Sequence, residues 1–283
     1  MTVRVVTDSG CDLPPSLCDE LGIEVVPLTI RFGDETLVDR KDLTAPEFWA
    51  KCKAAPALPE TAAPSPGAFE EAYRRAQAGG ADGVVVVTLS AKMSATIQAA
   101  ELAAQAVGGE MGVRVVDSES ASLGEGMVAL LAARAAAAGK GLDEVERVAR
   151  SAVTRTTLVA VIDTLDNLRR GGRIGGAQAL LGGLLSIKPL ITVSSATGGE
   201  VAEAGKQRTR AKALSAMLEK VRAVGPVEML GVMHAEAPDV SDLLSRLDDI
   251  VSRDDIVVAD VGAAIGTHAG PGCMGVVTVK SEG

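Results

Sequence analysis

Residues 83–116 read GVVVVTLSAKMSATIQAAELAAQAVGGEMGVRVV, a stretch that predicts a strand, a helix and a second strand in that order. The valine run at 83–88 is short and apolar throughout, as is typical of a strand buried on both faces of a parallel sheet. The alanine-rich residues 94–107 predict a helix, and residues 113–116 predict the next strand. A helix between two strands is the usual crossover of a parallel sheet, so this stretch indicates an α/β fold.

The same alternation extends through the first 155 residues. We predict strands at residues 3–7 and 23–30, helices at residues 15–21, 66–77, 126–138 and 142–154, and a further helix capped by Thr44 and Glu47. The pattern of residue types changes near Val159, where an apolar strand, a basic loop and a Gly/Leu-rich segment follow. Later strand patterns lie near Leu190 and Met229 and at residues 256–261 and 276–279. We therefore predict a parallel-sheet α/β domain with helices on both faces at residues 1–155, and a second α/β domain at residues 156–283.

Length and composition limit the class of protein. A chain of 283 residues exceeds the usual size of one domain, and aromatic residues make up only 2%, so any ligand cavity is walled by aliphatic side chains. The net charge of −9 argues against nucleic acid as a partner, because nucleic-acid binding needs clustered Lys and Arg. Residues 1–8 lack a secretory signal and the apolar stretch 175–187 is too short to span a bilayer, so we expect a cytoplasmic protein.

Several enzyme and metal motifs are absent from the sequence. It contains no Walker loop, no G-x-G-x-x-G after a strand, no H-E-x-x-H and no G-x-S-x-G. The only histidines are His234 and His268, and the four cysteines have no metal-ligand spacing. We therefore expect no metal site and no cofactor, and we expect the four thiols to be free and reduced.

His268 lies in the segment GTHAGPG at residues 266–272, between two hydrophobic stretches. Glycine permits close approach of the backbone to a ligand, and Pro271 stiffens the chain. We interpret this segment as a shaped turn that presents a site histidine. A strand-to-strand turn with an incidental histidine is the alternative.

Three further segments carry hydroxyl or carboxylate groups suited to a site. Asp8, Ser9 and Asp12 follow the first strand, where open α/β sheets bind ligands, although a helix cap and an Asx-turn explain them equally well. Thr61 lies in a proline-punctuated loop whose alternative role is a rigid connector. Ser94 opens the alanine-rich helix, where it either caps the helix or donates to an anion held by free backbone amides.

A basic segment follows the strand near Val159. Arg169, Arg170 and Arg173 surround paired glycines there, and a second basic cluster comprises Lys206, Arg208, Arg210 and Lys212. Arg side chains recognise carboxylates and phosphates through paired hydrogen bonds. Since these charges interrupt an apolar region of an acidic protein, we favour an anionic partner over a solvated loop.

Taken in order, these motifs resemble the DegV family. The matching residues are Asp8-Ser9-x-x-Asp12-Leu13-Pro14, Thr61 with Pro64-Ser65, Leu89-Ser90 with Ser94, Asp117-Ser118, Arg170-Gly171-Gly172-Arg173-Ile174-Gly175, Lys188-Pro189 and Gly266-Thr267-His268-x-Gly270-Pro271-Gly272. The resemblance runs from end to end. It implies a bacterial protein of two α/β domains that binds a long-chain fatty acid, such as palmitate, with the carboxylate near the domain interface. The family's carboxylate contacts fall on Thr61 and Ser94, and His268 belongs to the same neighbourhood.

The resemblance also implies a lipid carrier rather than an enzyme. Some DegV members are the fatty-acid-carrying subunit of a bacterial fatty acid kinase and present the carboxylate to an ATP-binding subunit that makes acyl phosphate. In that role Arg170, Arg173 and Lys206 would contact the kinase, and the carrier would contact a membrane surface transiently. The alternative is a stand-alone acyl-group transferase or hydrolase that uses His268 as general base with Ser94 or Ser9.

The chain departs from the usual family pattern near two of these contacts. Ala62 and Ala63 stand where serine and glutamine are common, and Ala95 stands where glycine is common. The match is therefore weakest around the lipid head group, which bears on the choice of ligand.

Overall fold

The computed structural model describes residues 2–180 and 187–282, so residues 181–186 of the Gly/Leu-rich segment lie outside the described part. Up to residue 155 the strands are β1 (Val3–Asp8), β2 (Glu24–Val26), β3 (Thr29–Phe32), β4 (Glu35–Val38), β5 (Glu60–Ala62), β6 (Gly83–Thr88) and β7 (Gly112–Asp117). The helices of this part are α1 (Pro15–Leu21), α2 (Ala45–Ala54), α3 (Pro66–Ala78), α4 (Thr96–Ala106), α5 (Leu123–Ala137) and α6 (Leu142–Arg155). The elements after residue 155 are β8 (Thr156–Val161), α7 (Asp166–Arg170), β9 (Lys188–Ser194), β10 (Ala202–Gln207), α8 (Arg210–Ala223), β11 (Val227–His234), α9 (Val240–Ser245), β12 (Val257–Asp260), α10 (Ala263–Ala269) and β13 (Met274–Lys280).

The first sheet is parallel, with strand order β2-β1-β6-β7. Alternate valines of β6 point to opposite faces, as the period of a strand requires. Val84 and Val86 pack in a core with helices α3 and α4, whereas Val85 and Val87 pack in the core that contains α5 and α6. The predicted parallel sheet with helices on both faces is therefore confirmed.

The second sheet contains six strands in the order β10-β9-β8-β13-β11-β12 and is mixed, since only β11 and β12 are parallel. Val159 and Val161 of β8 face helices α8 and α9, while Leu158 and Ala160 face the core shared with the first sheet. The predicted second α/β part is confirmed. The chain passes from one sheet to the other between Arg155 and Thr156, but the division into domains at residue 155 stays a prediction.

Helix α5 lies between the two sheets and is buried over its first eleven residues. It contacts β1 of the first sheet and β8, β11 and β13 of the second. Gly126 permits this close packing, because a Cβ there would lie 2.6 Å from the carbonyl oxygen of Cys11. A helix that is apolar on every side is stable only when both sides are covered, as they are here.

The prediction of one strand at residues 23–30 was wrong. The chain forms two short strands there, β2 in the parallel sheet and β3 in a separate antiparallel sheet of order β4-β3-β5. Pro27 lies between them and has no N–H to donate, so a continuous ladder cannot form across it. Strands β4, β5 and β10 and helices α7, α8 and α9 were not predicted. Thr61, predicted to lie in a loop, lies on β5.

The prediction that residues 266–272 form a turn was wrong for residues 266–269, which are helical; Pro271 and Gly272 do lie in a turn. His268 lies in the last turn of helix α10, and the strands on either side of this helix do not pair with each other. The predicted capping box of Thr44 and Glu47 is confirmed at the start of α2. No helix in the described part of the chain is long and apolar enough to cross a bilayer.

Candidate functional site

A largely apolar cavity lies between the loops that follow β6 and β7 and the inner face of the second sheet. It encloses about 940 Å³ of space free of protein atoms, part of which is open to solvent. Its lining comprises Leu28, Thr61, Ala63, Leu89, Met93, Ser94, Ala95, Ala121, Ser122, Leu158, Ala160, Leu168, Arg173, Ile191, Val193, Val201, Met233, Ala264, Ile265, His268, Ala269 and Cys273. Apart from the imidazole of His268, none of the described aromatic side chains lines this cavity.

Adjacent strands supply one wall of the cavity. Leu158 and Ala160 of β8 are paired with Val193 and Ile191 of β9, so their side chains lie on one face of the sheet. Gly275 of β13 is paired with Ala160 on the other side. A Cβ on Gly275 would lie 3.1 Å from both Ala160 Cβ and Leu158 Cδ1. These residues form a continuous aliphatic surface.

The polar end of the cavity contains Thr61 and His268. Thr61 Oγ1 lies 2.9 Å from His268 Nε2, across 207 residues of sequence. The pairing of Thr61 with Ile30 in the small antiparallel sheet fixes the backbone that carries this hydroxyl. Burial and, to a smaller extent, the positive charge of Arg173 together lower the pKa of His268 to about 4. The imidazole is therefore neutral at pH 7, and its Nδ1 has no hydrogen-bond partner in the described part of the chain.

The orientation of His268 depends on a glycine. A Cβ on Gly171 would lie 2.2 Å from His268 Nδ1, and only 3.2 Å from the carbonyl oxygen of Asn167. The ring therefore packs directly on backbone. Asn167 Nδ2 also donates to the carbonyl oxygen of Thr267 at 3.1 Å, which ties helix α7 to helix α10.

We expect Gly171→Ala to displace the imidazole and to weaken ligand binding at this end of the cavity about tenfold, the loss of roughly one hydrogen bond to a charged group. The matched control is Gly176→Ala, where the nearest atom to a new Cβ lies at an ordinary 3.6 Å. Displacement of a fluorescent fatty-acid analogue measures the affinity of both variants. Equal affinity of the two variants would contradict this role of Gly171.

Ser94 and Arg173 complete the polar end. Ser94 Oγ lies 2.8 Å from Thr96 Oγ1, and it accepts a hydrogen bond from the Thr96 amide at 3.3 Å. Helix α4 begins two residues later than predicted, after Ala95, and has no side-chain cap. Arg173 Nε donates to the Met93 carbonyl at 3.0 Å, so the arginine lies against the segment that carries Ser94. The structure thus brings Thr61, Ser94 and His268 to one cavity, together with Arg173.

A polar mouth lies outside the Thr61–His268 pair. It is lined by Leu58, Pro59, Glu60, Thr61, Asn167, Arg170, Gly171, Arg173, Thr267 and His268. Arg170, Arg173 and Lys206 are exposed. None of the three forms an ion pair within residues 2–180 and 187–282. Arg210, by contrast, is paired with Asp239 and Asp163, so part of the second basic cluster is structural.

The carboxylates that follow β1 are buried and do not line the large cavity. Asp8 caps the short 3₁₀ turn Ser9–Cys11 and also accepts a hydrogen bond from the Leu89 amide at 2.9 Å. Burial raises the pKa of Asp8 to about 6. Ser9 Oγ donates to Asp39 and not to His268. The sequence allowed either a ligand site or a helix cap with a turn at these residues. The structure contains the cap and the turn.

Two features of the site were missed in the sequence. Arg173 was predicted as a partner contact alone, but it also lines the cavity next to His268. Glu125 is fully buried on α5, accepts a hydrogen bond from Thr7 and lies near Asp8. A lone carboxylate beside an alanine- and leucine-rich run was the available signal for Glu125. Among the described residues, no group of three or more His, Cys, Asp or Glu side chains is placed to hold a metal ion.

Comparison with known proteins assigns the family. Residues 2–281 match the family model described as "Uncharacterised protein, DegV family". A DegV domain-containing protein of Streptomyces coelicolor is 42% identical over 281 residues, covering 97% of this chain and 97% of that protein. The chain therefore belongs to the DegV family.

Solved structures agree with this assignment. A structure described as fatty acid binding of a DegV family protein, from Thermus thermophilus, is 36% identical and has a TM-score of 0.88, covering 99% of this chain and 100% of that one. The structure of DegV from Bacillus subtilis, described as a fatty acid binding protein, is 28% identical with a TM-score of 0.85, covering 99% and 100%. The likeness extends over both sheets.

Proposed function

We propose that this protein binds a long-chain fatty acid, such as palmitate, in the large cavity and carries it with the carboxylate at the polar end. The observation that carries the proposal is that Thr61, Ser94, His268 and Arg173 all line one largely apolar cavity. The two similar solved structures, both described as fatty acid binding, support it.

The tail supplies most of the binding energy. Burial of about fifteen methylenes at ~0.8 kcal/mol each yields a gross gain on the order of 12 kcal/mol before the costs of association and ordering. The aliphatic wall formed by β8 and β9 suits such a chain, because it offers no polar group along its length. Affinity therefore depends on free space along this wall.

The head group orients the ligand. The hydroxyls of Thr61 and Ser94 donate hydrogen bonds to a carboxylate, and Arg173 adds a positive charge. The neutral imidazole of His268 donates its Nε2–H to Thr61 Oγ1, which leaves the Thr61 hydroxyl free to donate to the ligand. Each such bond contributes about 1–3 kcal/mol at best. These groups select a carboxylate over a neutral hydrocarbon end rather than providing most of the affinity.

The polar mouth supports a role in presentation of the carboxylate. Arg170 and Arg173 lie at this opening, and Lys206 is exposed on β10. In the proposed cytoplasmic role these residues contact the ATP-binding subunit of a fatty acid kinase, which phosphorylates the carboxylate. Transient contact with a membrane surface is the complementary step, in which the lipid is taken up or delivered.

The alternative of a transferase or hydrolase with His268 as general base has less support. A base with a pKa of about 4 takes up a proton poorly at pH 7. In the described part of the chain no third group orients the ring through Nδ1, as a catalytic triad requires. Turnover of an acyl ester by the isolated protein, lost in His268→Ala, would favour this alternative.

We expect Thr61→Ala combined with Ser94→Ala to reduce fatty-acid affinity roughly 10- to 100-fold, because two hydrogen bonds to the carboxylate are lost. Arg170→Ala is the matched control at the mouth and should leave affinity unchanged while it impairs phosphorylation by a partner kinase. Native mass spectrometry after gentle purification measures retention of a C14 to C18 acid. Repeated recovery of ligand-free wild type that also fails to bind added palmitate would refute the proposed function.

A further inference from the structure

The carboxylate of Asp12 joins two walls of the large cavity. It lies just after the 3₁₀ turn Ser9–Cys11, and its side chain is buried. Asp12 Oδ2 accepts a hydrogen bond from Ser122 Oγ at 2.6 Å. Its other oxygen, Oδ1, accepts a hydrogen bond from the Gly262 amide at 2.9 Å. These partners lie 110 and 250 residues away in the sequence.

Gly262 is the N-cap residue of helix α10 and immediately precedes its first residue. The helix has no side-chain cap of its own, so Asp12 satisfies an amide that would otherwise lack an intrahelical partner. Ala264, Ile265 and His268 of this helix all line the cavity. The position of the Asp12 carboxylate therefore affects both the apolar wall and the imidazole at the polar end.

Ser122 forms part of the opposite wall and has a strained backbone. Its φ of 53° and ψ of −141° lie in a region that residues other than glycine rarely adopt. Such a conformation costs on the order of a few RT and persists only when surrounding contacts hold it. The short hydrogen bond to Asp12 is a contact of this kind.

We propose that Asp12 is a positioning residue for the lipid cavity, which it holds in its binding geometry by fixing Ser122 on one wall and helix α10 on the other. The inference rests on the proposed fatty-acid binding and adds a regulation to it. The two hydrogen bonds both require an acceptor, so the ionised carboxylate makes them best. Protonation of either oxygen replaces one acceptor with a donor and loosens one wall.

Burial and the neighbouring charges bring the protonation of Asp12 into a pH range that can be tested. Burial raises the pKa of Asp12 to about 7, and the negative charge of Asp39 adds to this effect, while Arg40 opposes it. Glu125 on α5 and Cys273 before β13 also lie within electrostatic range of Asp12. Asp12, Asp39 and Arg40 line a second cavity that is partly open to solvent.

The test compares the Kd for palmitate at pH 8.5 and pH 6.0 in the full-length wild type and in Asp12→Asn. Asparagine keeps the shape of the side chain but cannot accept both hydrogen bonds or titrate. We expect the wild type to bind roughly tenfold more tightly than Asp12→Asn at pH 8.5, and the ratio to approach one at pH 6.0. Ionisation of palmitate and of His268 affects both proteins alike and cancels in this ratio.

Two controls separate positioning from folding. Asp19→Asn removes an exposed carboxylate of α1 and should follow the wild type at both pH values. Ser122→Ala removes one of the two hydrogen bonds and should reduce the pH dependence without abolishing binding. A ratio of wild type to Asp12→Asn that stays constant with pH would overturn the inference. Failure of the wild type to bind palmitate at either pH would instead overturn the proposed function.

Discussion

Ala160→Phe should abolish measurable fatty-acid binding while the protein stays folded. Ala160 lies on β8 with its Cβ on the cavity wall, beside Leu158 and opposite the space left by Gly275. The phenyl ring adds six carbons and excludes about as many methylenes of the ligand. The loss of roughly 5 kcal/mol of tail burial corresponds to more than about a thousandfold in Kd. Titration of palmitate into the purified variant measures the effect.

The control for Ala160→Phe is the same substitution on the other face of the sheet. Ala204 of β10 is half-buried and lines a shallow groove near helix α8, so Ala204→Phe should bind palmitate as the wild type does. Ala160→Leu adds less volume and should give an intermediate Kd, which keeps the test valid if the phenyl ring disturbs the sheet. Wild-type affinity in a folded Ala160→Phe would mean that the tail lies elsewhere.

Local sequence pattern predicted much of the first sheet. The β6 strand and the helices α1, α3 and α6 have bounds close to those predicted, because each is marked by a valine run, a proline at its start or a clear apolar period. Helix α5 was predicted three residues short at its start. Gly124 and Gly126 are poor helix formers, so the helical state of this start depends on packing between the two sheets.

Helix α10 and the aliphatic wall depend on contacts between residues far apart in the sequence, so local sequence pattern did not predict them. The GTHAGPG segment has the composition of a turn, yet Gly262 receives Asp12 as a partner and Gly266 packs against Phe48 and Trp49. These contacts favour a helix from Ala263 onwards. The aliphatic wall depends on the pairing of β8 with β9 and β13, an order that no local pattern encodes.

The sequence predicted the polar residues of the candidate site but not the contacts around them. Thr61, Ser94 and His268 were predicted from motif resemblance, and the structure places all three on one cavity. Their roles as ligand contacts stay predictions. The buried carboxylates near β1 could not be separated from simple caps in the sequence, because burial and the partners Leu89 and Gly262 depend on the folded chain.

The free energy of unfolding should rise as the pH falls from 8 to 6. Burial raises the folded-state pKa of Asp12 to about 7 and that of Asp8 to about 6, and it raises the pKa of Glu125 well above its ordinary value. The folded protein therefore binds more protons than the unfolded chain in this range, so acid stabilises the fold. Each fully titrating carboxyl contributes about 1.4 kcal/mol for each pH unit below its folded pKa.

His268 acts in the opposite direction. Its folded pKa of about 4 lies below the ordinary 6.5, so its contribution is present above pH 6.5 and is lost as the pH falls toward 4. Between pH 8 and 6 the carboxyl groups dominate, and we expect a net gain in the free energy of unfolding. Guanidinium unfolding at pH 8, 7 and 6 measures it.

Glu125→Gln tests the origin of this pH dependence. The amide keeps an acceptor for Thr7 but cannot ionise, so the slope of stability with pH should be smaller than in the wild type, whereas Glu101→Gln on the exposed face of α4 should leave it unchanged. Equal slopes of the free energy of unfolding with pH for Glu125→Gln and the wild type would show that Glu125 is not a source of the pH dependence. Because acid is expected to strengthen the fold as a whole, weaker palmitate binding at pH 6 could not be ascribed to unfolding. The part of the loss that is absent from Asp12→Asn is then due to the loosened Asp12 contacts.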